Sequence, residues 1–346
     1  MVNVDITRTV DFLEGLLNVP SPTGDTAAAV EYVRERLADL PLTLRLTMKG
    51  SLVATVEGES SSQPRALTAH VDTLGAMVKE IKCNGRLQLV ALGGLQWNSV
   101  EGEGLTISAA SGQRYRGSLL PNGASAHALR PDDRGATRDD ASMEVRIDAI
   151  TGSRAETEAL GIRVGDFVAF DPRVELSENG FVRSRFLDDK VSVACIYGAL
   201  CALADAGLRP AQRTTVLIST YEEVGHGAAS GLPSDLAELV AVDMAVVAPG
   251  NTSHEQAVTV CARDAGGPYD LALRRRLEAL AEAEGLRWCT DVYLYYRSDG
   301  EAYWNAGGDV RVGLIGPGVD ASHHYERTHV DGIENTARLI AAYLLN

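Results

Sequence analysis

The chain has 346 residues, of which 45% are hydrophobic and 5% aromatic, and its net charge is −15. This length suits one large domain or two smaller ones with an aliphatic core. The acidic balance repels nucleic acid and anionic membranes, so we expect neither as a partner. Scattered cysteines without CxxC spacing, no run long enough to span a membrane and no stretch resembling a signal peptide predict a soluble, cytoplasmic protein.

The predicted helices and strands alternate in the first and last parts of the chain. Apolar residues at helical spacing predict a helix over 5–17 and a second one that ends near Leu37. Further strands are predicted at 43–48, 51–56, 65–70, 213–220, 240–247, 257–262, 288–295 and 310–315, and further helices at 189–206, 269–285 and 331–345. This alternation predicts a mixed-sheet α/β/α domain formed by residues 1–76 and 171–346.

The middle of the chain, residues 77–170, has a different pattern. Short strand-like stretches at 76–81, 87–91, 105–108 and 167–170 are separated by many glycines, with almost no helical periodicity. They predict a small, β-barrel-like domain inserted into the α/β domain. The polar stretch 121–142 predicts a mobile loop within it.

Polar side chains that could bind a cation occur beside two of these elements. His70 and Asp72 come at the end of the third predicted strand, where open α/β sheets bind their ligands. His70 could be a metal ligand whose second ring nitrogen is held by Asp72, although a surface HxD sequence is the simpler interpretation. Asp188 and Asp189 open the third predicted helix. Acids there are ordinarily capping residues, yet a carboxylate at this position could bridge two cations.

Two consecutive acids follow the predicted strand 213–220. Glu222 and Glu223 can share a site only if the strand ends and bends there, which Gly225 permits. Acids directly behind a buried strand are costly unless they are paired or bound to metal. Asp243 lies inside another apolar strand run, so it too should meet a cation or a metal.

Three histidines, His323, His324 and His329, cluster in one late loop. Histidine is the commonest metal ligand near neutral pH, although a loop of solvated histidines would give the same pattern. Imidazole together with carboxylate suits zinc, cobalt or manganese better than calcium. A site with two metal ions also needs a bridging carboxylate and a separate base.

The segments AHVDTLG, LDDK, YEEVG and AVDM, followed by the late histidine loop, resemble the tetrahedral (TET) aminopeptidase family, which includes glutamyl aminopeptidases and proteins named cellulase M. The resemblance covers nearly the whole chain. It implies a zinc-exopeptidase-like catalytic domain, with 77–170 as a dimerisation or oligomerisation domain. It also implies homo-oligomers, from a dimer up to a tetrahedral dodecamer, and short peptides or dipeptide-like molecules as substrates.

The resemblance also implies a role for each candidate residue. Two divalent metal ions would bind each subunit, zinc first and cobalt or manganese as alternatives. The ligands of one ion would be His70, Asp188 and Asp243, and those of the other Asp188, Glu223 and His323. Glu222 would be the general base, and Asp72 would orient the histidine that precedes it.

The chain departs from the family pattern at three positions near the expected pocket. Thr73 stands where an acid is usual, Lys190 where an arginine is usual, and the last histidine lies in SHHYERTH. His323, His324 and His329 therefore remain rivals for the last ligand position. We favour His323, because the closing helix then falls nearly in register with the family.

The sequence thus predicts a two-metal aminopeptidase that removes N-terminal residues from short peptides through a metal-bridging water. The alternative is a metal-dependent deacylase or amidase that acts on an N-acylated, dipeptide-like small molecule. A glycosidase is disfavoured, because the adjacent Glu222 and Glu223 are poorly placed to flank a sugar bond with the separation of roughly 5–9.5 Å that this chemistry needs.

Overall fold

The computed structural model of the chain describes residues 2–128 and 135–346. Residues 129–134, part of the loop predicted over 121–142, lie outside the described residues. The chain forms two compact units, one made of residues 1–72 and 173–346 and the other of residues 73–172.

Helices and strands alternate in the larger unit, whereas the smaller unit consists mainly of strands. The chain up to residue 72 contains α1 (Ile6–Leu17), α2 (Ala27–Leu37), β1 (Thr43–Leu46), β2 (Leu52–Val56) and β3 (Ser60–His70). Residues 73–172 contain β4 (Gly75–Ile81), β5 (Leu87–Leu92), β6 (Gly104–Ser108), β7 (Arg114–Pro121), β8 (Met143–Ile147), α3 (Arg154–Ala159) and β9 (Phe167–Phe170). The rest contains β10 (Glu175–Leu176), β11 (Phe181–Ser184), α4 (Leu187–Asp205), β12 (Gln212–Ser219), β13 (Glu238–Val242), β14 (Ala245–Val247), β15 (Val258–Asp264), β16 (Gly267–Pro268), α5 (Leu271–Ala283), β17 (Trp288–Val292), α6 (Asp299–Asn305), β18 (Arg311–Asp320), β19 (Glu326–His329) and α7 (Val330–Leu345).

The larger unit is built on a mixed sheet with the strand order β1-β2-β12-β3-β13-β18-β19-β11-β10. The inner strands β12, β3, β13 and β18 are parallel, and the outer pairs β1–β2 and β11–β19 are antiparallel. The predicted mixed α/β fold is therefore confirmed. Because the carboxyl ends of parallel strands meet at one edge of a sheet, the residues that follow β3, β12 and β13 lie close together.

Helix α4 lies at the centre of the larger unit's helical layer. Every residue from Leu187 to Leu203 is buried, and α4 packs against α1, α7 and β3. An apolar helix without a polar face is expected in such an enclosed position. Lys190 Nζ donates hydrogen bonds to the carbonyl oxygens of Leu16 (3.1 Å) and Val19 (2.7 Å), at and just beyond the C-terminal end of α1. Burial lowers the pKa of Lys190 to about 7.

The smaller unit is a closed barrel with the strand order β4-β5-β8-β7-β6-β9, which confirms the predicted β-barrel-like domain. Its interior contains the fully buried side chains of Leu105, Ile107, Leu119 and Val145. Strands β7 and β8 escape prediction because charged side chains, arginine in both strands, interrupt their short apolar runs. In the part of the chain that the structure describes, no helix combines the length and the apolar character needed to cross a membrane.

Gly316 lets β18 pass close to the chain that follows β13. A Cβ atom at this position would lie 1.7 Å from the Asp243 carbonyl oxygen, whereas one at Gly313 would meet only side-chain atoms of Leu277 and Leu273, at 3.2 Å or more. The neighbouring hydrogen bond from Asp243 N to Ile315 O, 2.9 Å long, fixes this approach.

We therefore predict that Gly316→Ala lowers the free energy of unfolding by about 2 kcal/mol or more, since backbone must move to relieve the overlap. Gly313→Ala, in the same strand, should cost less than half as much, because flexible leucine side chains can adjust. Chemical denaturation of both variants checks this. Equal losses in the free energy of unfolding of the two variants would show that the close approach at Gly316 does not constrain the fold.

Candidate metal centre

Acidic and imidazole side chains gather where the inner strands end. His70 is the last residue of β3, and Asp243 directly follows β13. Glu222 and Glu223 lie in a short 3-10 turn that begins three residues after the end of β12. Gly225 closes this turn with a φ of 84°, a conformation that glycine adopts without strain, so the chain bends where the sequence predicted.

The two ring nitrogens of His70 have different surroundings. Nε2 lies 3.2 Å from Asp188 Oδ1 and 3.7 Å from Glu222 Oε2. Nδ1 lies 2.9 Å from the carbonyl oxygen of Asp72 and 3.5 Å from that residue's carboxylate. The backbone carbonyl is thus the nearer acceptor for a proton on Nδ1, which leaves Nε2 free to bind a cation.

The Asp72 carboxylate has a structural role that the sequence did not suggest. It accepts hydrogen bonds from Thr23 Oγ1 (2.7 Å), Glu222 N (3.2 Å) and Glu223 N (3.3 Å). Burial opposes its ionisation, but His70 and these donors outweigh burial and lower the pKa of Asp72. Asp72 therefore fixes the turn after β12 to the end of β3.

Asp188 lies between two imidazoles. Its Oδ1 is 3.2 Å from His70 Nε2 and its Oδ2 is 3.5 Å from His323 Nε2, which is also 3.8 Å from Glu223 Oε2. Glu326 joins the two chain segments involved. It accepts hydrogen bonds from the backbone N–H groups of Asp188 (3.1 Å) and His323 (3.0 Å).

Among the three rival histidines, the structure brings His323 to the acids. The His324 ring is exposed, with Nδ1 3.0 Å from the His323 carbonyl oxygen. His329 caps α7, where its Nδ1 accepts a hydrogen bond from Asp331 N (3.1 Å) and its Nε2 lies 3.0 Å from Asn179 O. His329 thus holds a helix terminus in place.

At this centre, three buried carboxylate oxygens have no hydrogen-bond partner within residues 2–128 and 135–346: Asp189 Oδ1, Glu223 Oε1 and Asp243 Oδ1. Two groups of ligand atoms lie within 4.8 Å of one another, His70–Asp188–Glu223 and His70–Asp189–Asp243. The second group contains Asp189 where the resemblance implies Asp188. Unpaired buried carboxylates are costly without a cation, and this donor set suits zinc, cobalt or manganese. The residues therefore fit divalent metal ions.

Crowding of the acids changes their affinity for protons. Burial, with the charge of Asp188 second, raises the pKa of Asp243 to about 7 and that of Glu223 to about 8. Burial also raises the pKa of Glu222 well above its ordinary value. Burial acts in the same direction on Asp188, but the two imidazoles outweigh it and lower the pKa of that carboxyl. Bound cations would favour the charged form of each acid.

Asp299 is a further buried acid that anchors the chain on either side of the acidic turn. Its carboxylate accepts hydrogen bonds from Thr68 Oγ1 (3.3 Å), Ser219 Oγ and Ala228 N (2.7 Å). Nothing in the sequence distinguishes it from an ordinary acid in the first turn of a helix. Only the fold brings α6 beside β3 and β12.

Known proteins share this sequence pattern and this fold. Residues 50–339 match the family model described as M42 glutamyl aminopeptidase. YhfE of Bacillus subtilis (strain 168) is 43% identical over 339 residues, which cover 98% of each chain. The TET aminopeptidase of the marine sediment archaeon Thaumarchaeota archaeon SCGC AB-539-E09 has a TM-score of 0.88 at 18% identity, over 98% of this chain and 96% of that one. The Pyrococcus horikoshii TET1 peptidase has a TM-score of 0.86 at 18% identity, over 98% of this chain and 99% of that one.

Metal removal should make the stability of the protein depend on pH. The raised pKa values of Asp243 and Glu223, about 7 and about 8, mean that the folded metal-free protein binds protons more tightly than the unfolded chain. The stability that these protons contribute is complete below the ordinary carboxyl pKa and is lost as the pH rises through 7 and 8.

We therefore expect the thermal midpoint of the metal-free protein to fall, relative to the zinc-loaded protein, between about pH 5 and pH 8.5. The comparison between the two forms removes contributions that both share, such as that of Lys190. Scanning calorimetry of both forms across this range measures the difference. If the difference in thermal midpoint between the zinc-loaded and metal-free forms stayed constant or narrowed as the pH rises, the proposed linkage would be wrong.

The histidine choice can be tested with neighbouring variants. We expect His323→Ala to lose about one of two bound metal ions, because its imidazole faces Asp188 and Glu223. His324→Ala, the matched control, should bind metal like the unaltered chain. Metal content after dialysis measures both, and a loss in His324→Ala alone would reverse the assignment.

Proposed function

We propose a two-metal catalytic centre for this chain, which belongs to the M42 glutamyl aminopeptidase family and is a metal-dependent aminopeptidase. The family predicted from the motifs is thus confirmed, and the deacylase alternative is not favoured. We assign one ion to His70, Asp188 and Asp243 and the other to Asp188, Glu223 and His323. The observation that carries this assignment is the position of Asp188, whose two oxygens face two different imidazoles.

Two divalent ions, zinc first and cobalt or manganese as alternatives, would supply Lewis acidity that activates a water molecule and stabilises the negative charge that develops on the scissile carbonyl. Asp188 would bridge the ions. Asp72 holds the His70 ring through its carbonyl oxygen and the acidic turn through its carboxylate. Both contacts are made between protein groups alone, so the protein itself sets the ligand directions.

Glu222 is the general base of the proposed reaction. Its side chain is 14% exposed and its Oε2 lies 3.7 Å from His70 Nε2, so it reaches the centre, and it belongs to neither group of ligand atoms in the described residues. Burial raises its pKa, which suits a group that must accept a proton from water and return it to the leaving amine. Glu223, its neighbour in the same turn, faces His323 instead.

Short peptides with a free terminal amine are the proposed substrates, with the active sites inside a homo-oligomer. The Pyrococcus horikoshii TET1 peptidase assembles into a tetrahedron or a large octahedral shell. We propose that this chain also forms a homo-oligomer, from a dimer up to a tetrahedral dodecamer. The inserted domain, predicted as 77–170 and found as a compact unit of residues 73–172, is the proposed oligomerisation domain. Five free cysteines fit the proposed cytoplasmic location.

The two glutamates of the turn provide a direct test. We expect Glu222→Gln to retain about two metal ions per chain and to lower kcat on a free dipeptide by about 10²–10⁴-fold, because the proton acceptor is lost. Glu223→Gln should instead lose metal. The N-acetylated dipeptide serves as the control substrate and should remain intact with the unaltered chain.

Metal content and turnover, measured on the same samples, distinguish these roles. A Glu222→Gln variant that remains fully active would overturn the assignment of the base. Equal hydrolysis of the free and acetylated dipeptides would overturn the requirement for a free terminal amine.

A further inference from the structure

The loop between β17 and α6, with the sequence YLYYRS, brings a tyrosine to the metal centre. Tyr293 N donates a hydrogen bond to Arg263 O (2.9 Å), and Tyr296 O accepts one from Ala265 N (2.9 Å). The Tyr293 and Tyr296 rings pack together with their centroids 5.3 Å apart. The backbone and the ring of Tyr296 are therefore held in place independently of its hydroxyl group.

The Tyr296 hydroxyl is buried and finds no hydrogen-bond partner in the described parts of the chain, and the same is true of Asp243 Oδ1. The two side chains are nonetheless close enough to interact with each other. A phenol is ordinarily protonated at neutral pH, so the Tyr296 hydroxyl can donate a hydrogen bond, and the Asp243 carboxylate beside it can accept one.

We propose that Tyr296 is a positioning residue, whose hydroxyl donates to one oxygen of the Asp243 carboxylate and thereby turns the other oxygen toward the metal ion. This inference rests on the proposed function, which makes Asp243 a ligand. A hydrogen bond of this kind fixes the direction of a ligating carboxylate, and its loss typically weakens metal binding by about 10–100-fold. Because protein contacts anchor the loop, the protein itself would set the orientation of Asp243.

Tyr293 offers a matched control on the same loop. Its hydroxyl lies 2.7 Å from Ser253 Oγ, and its ring is buried in the same apolar cluster. Tyr293→Phe and Tyr296→Phe each remove one hydroxyl and keep the ring. Zinc titration of the metal-free chain against a chromophoric chelator yields the two dissociation constants of each variant. The thermal midpoint of the metal-free form reports whether the fold is retained.

We expect Tyr296→Phe to raise one zinc dissociation constant by about 10–100-fold and to leave the other within about threefold of the unaltered chain. Tyr293→Phe should leave both zinc dissociation constants within about threefold of those of the unaltered chain. In an Asp243→Asn background, Tyr296→Phe should have no further effect, because the two residues act through one contact. Saturating zinc should restore turnover to Tyr296→Phe.

Unchanged zinc affinities in Tyr296→Phe, or an equal loss in Tyr293→Phe, would overturn the role of Tyr296. An unaltered chain that binds fewer than two zinc ions would overturn the two-metal centre itself, and this inference with it. The two outcomes can be distinguished, because the role of Tyr296 is tested only in a parent protein that binds two zinc ions.

Discussion

Negative charge concentrated at the carboxyl edge of the inner strands is the constraint on which the rest of the site depends. Asp188, Glu223 and Asp243 are buried beside two imidazoles, and burial, followed by the charge of Asp188, raises the pKa of Glu223 and of Asp243. The fold cannot relax this repulsion by moving one acid away. Asp243 follows a fully buried strand, and Gly316 leaves no room between that turn and β18. Protons, or metal ions in their place, are the remaining sources of compensation.

The acids of the site divide into two kinds by what their oxygens contact. Asp72, Glu326 and Asp299 accept hydrogen bonds from backbone N–H groups, and each ties together segments that are distant in sequence. Glu223 and Asp243, in contrast, each have a buried oxygen without a partner in the residues that the structure describes. The acids of the first kind hold the surrounding backbone in place, and those of the second kind have an oxygen that could bind a metal ion. Rigid framing of ligands is what keeps a metal site specific.

Much of this arrangement can be predicted from local sequence, because acids and histidines stand out where they end an apolar strand run. His70, Glu222 and Glu223 are evident in this way, and the bend at Gly225 explains how adjacent glutamates share a site. Asp243 was expected inside one strand over 240–247, but it separates β13 from β14. A single strand and two short collinear strands have the same apolar pattern, so periodicity cannot distinguish them.

Other parts depend on contacts that no local pattern records. Glu326, Asp299 and Tyr296 come from three late segments, and only the sheet topology carries them to the end of β3. The role of the Asp72 carboxylate likewise depends on Thr23, which lies in a loop near the start of the chain. The preference for His323 over His324 depends on which neighbouring side chain faces Asp188, and a sequence of adjacent histidines cannot determine that.

Anomalous diffraction from crystals of the zinc-loaded protein tests the central claim most directly. We predict two anomalous peaks about 3.5–4 Å apart, the usual spacing of two-metal sites. One should contact His70 and Asp243, the other Glu223 and His323, and Asp188 should contact both. A single peak, or a pair of ions bridged by Asp189 in place of Asp188, would contradict this prediction.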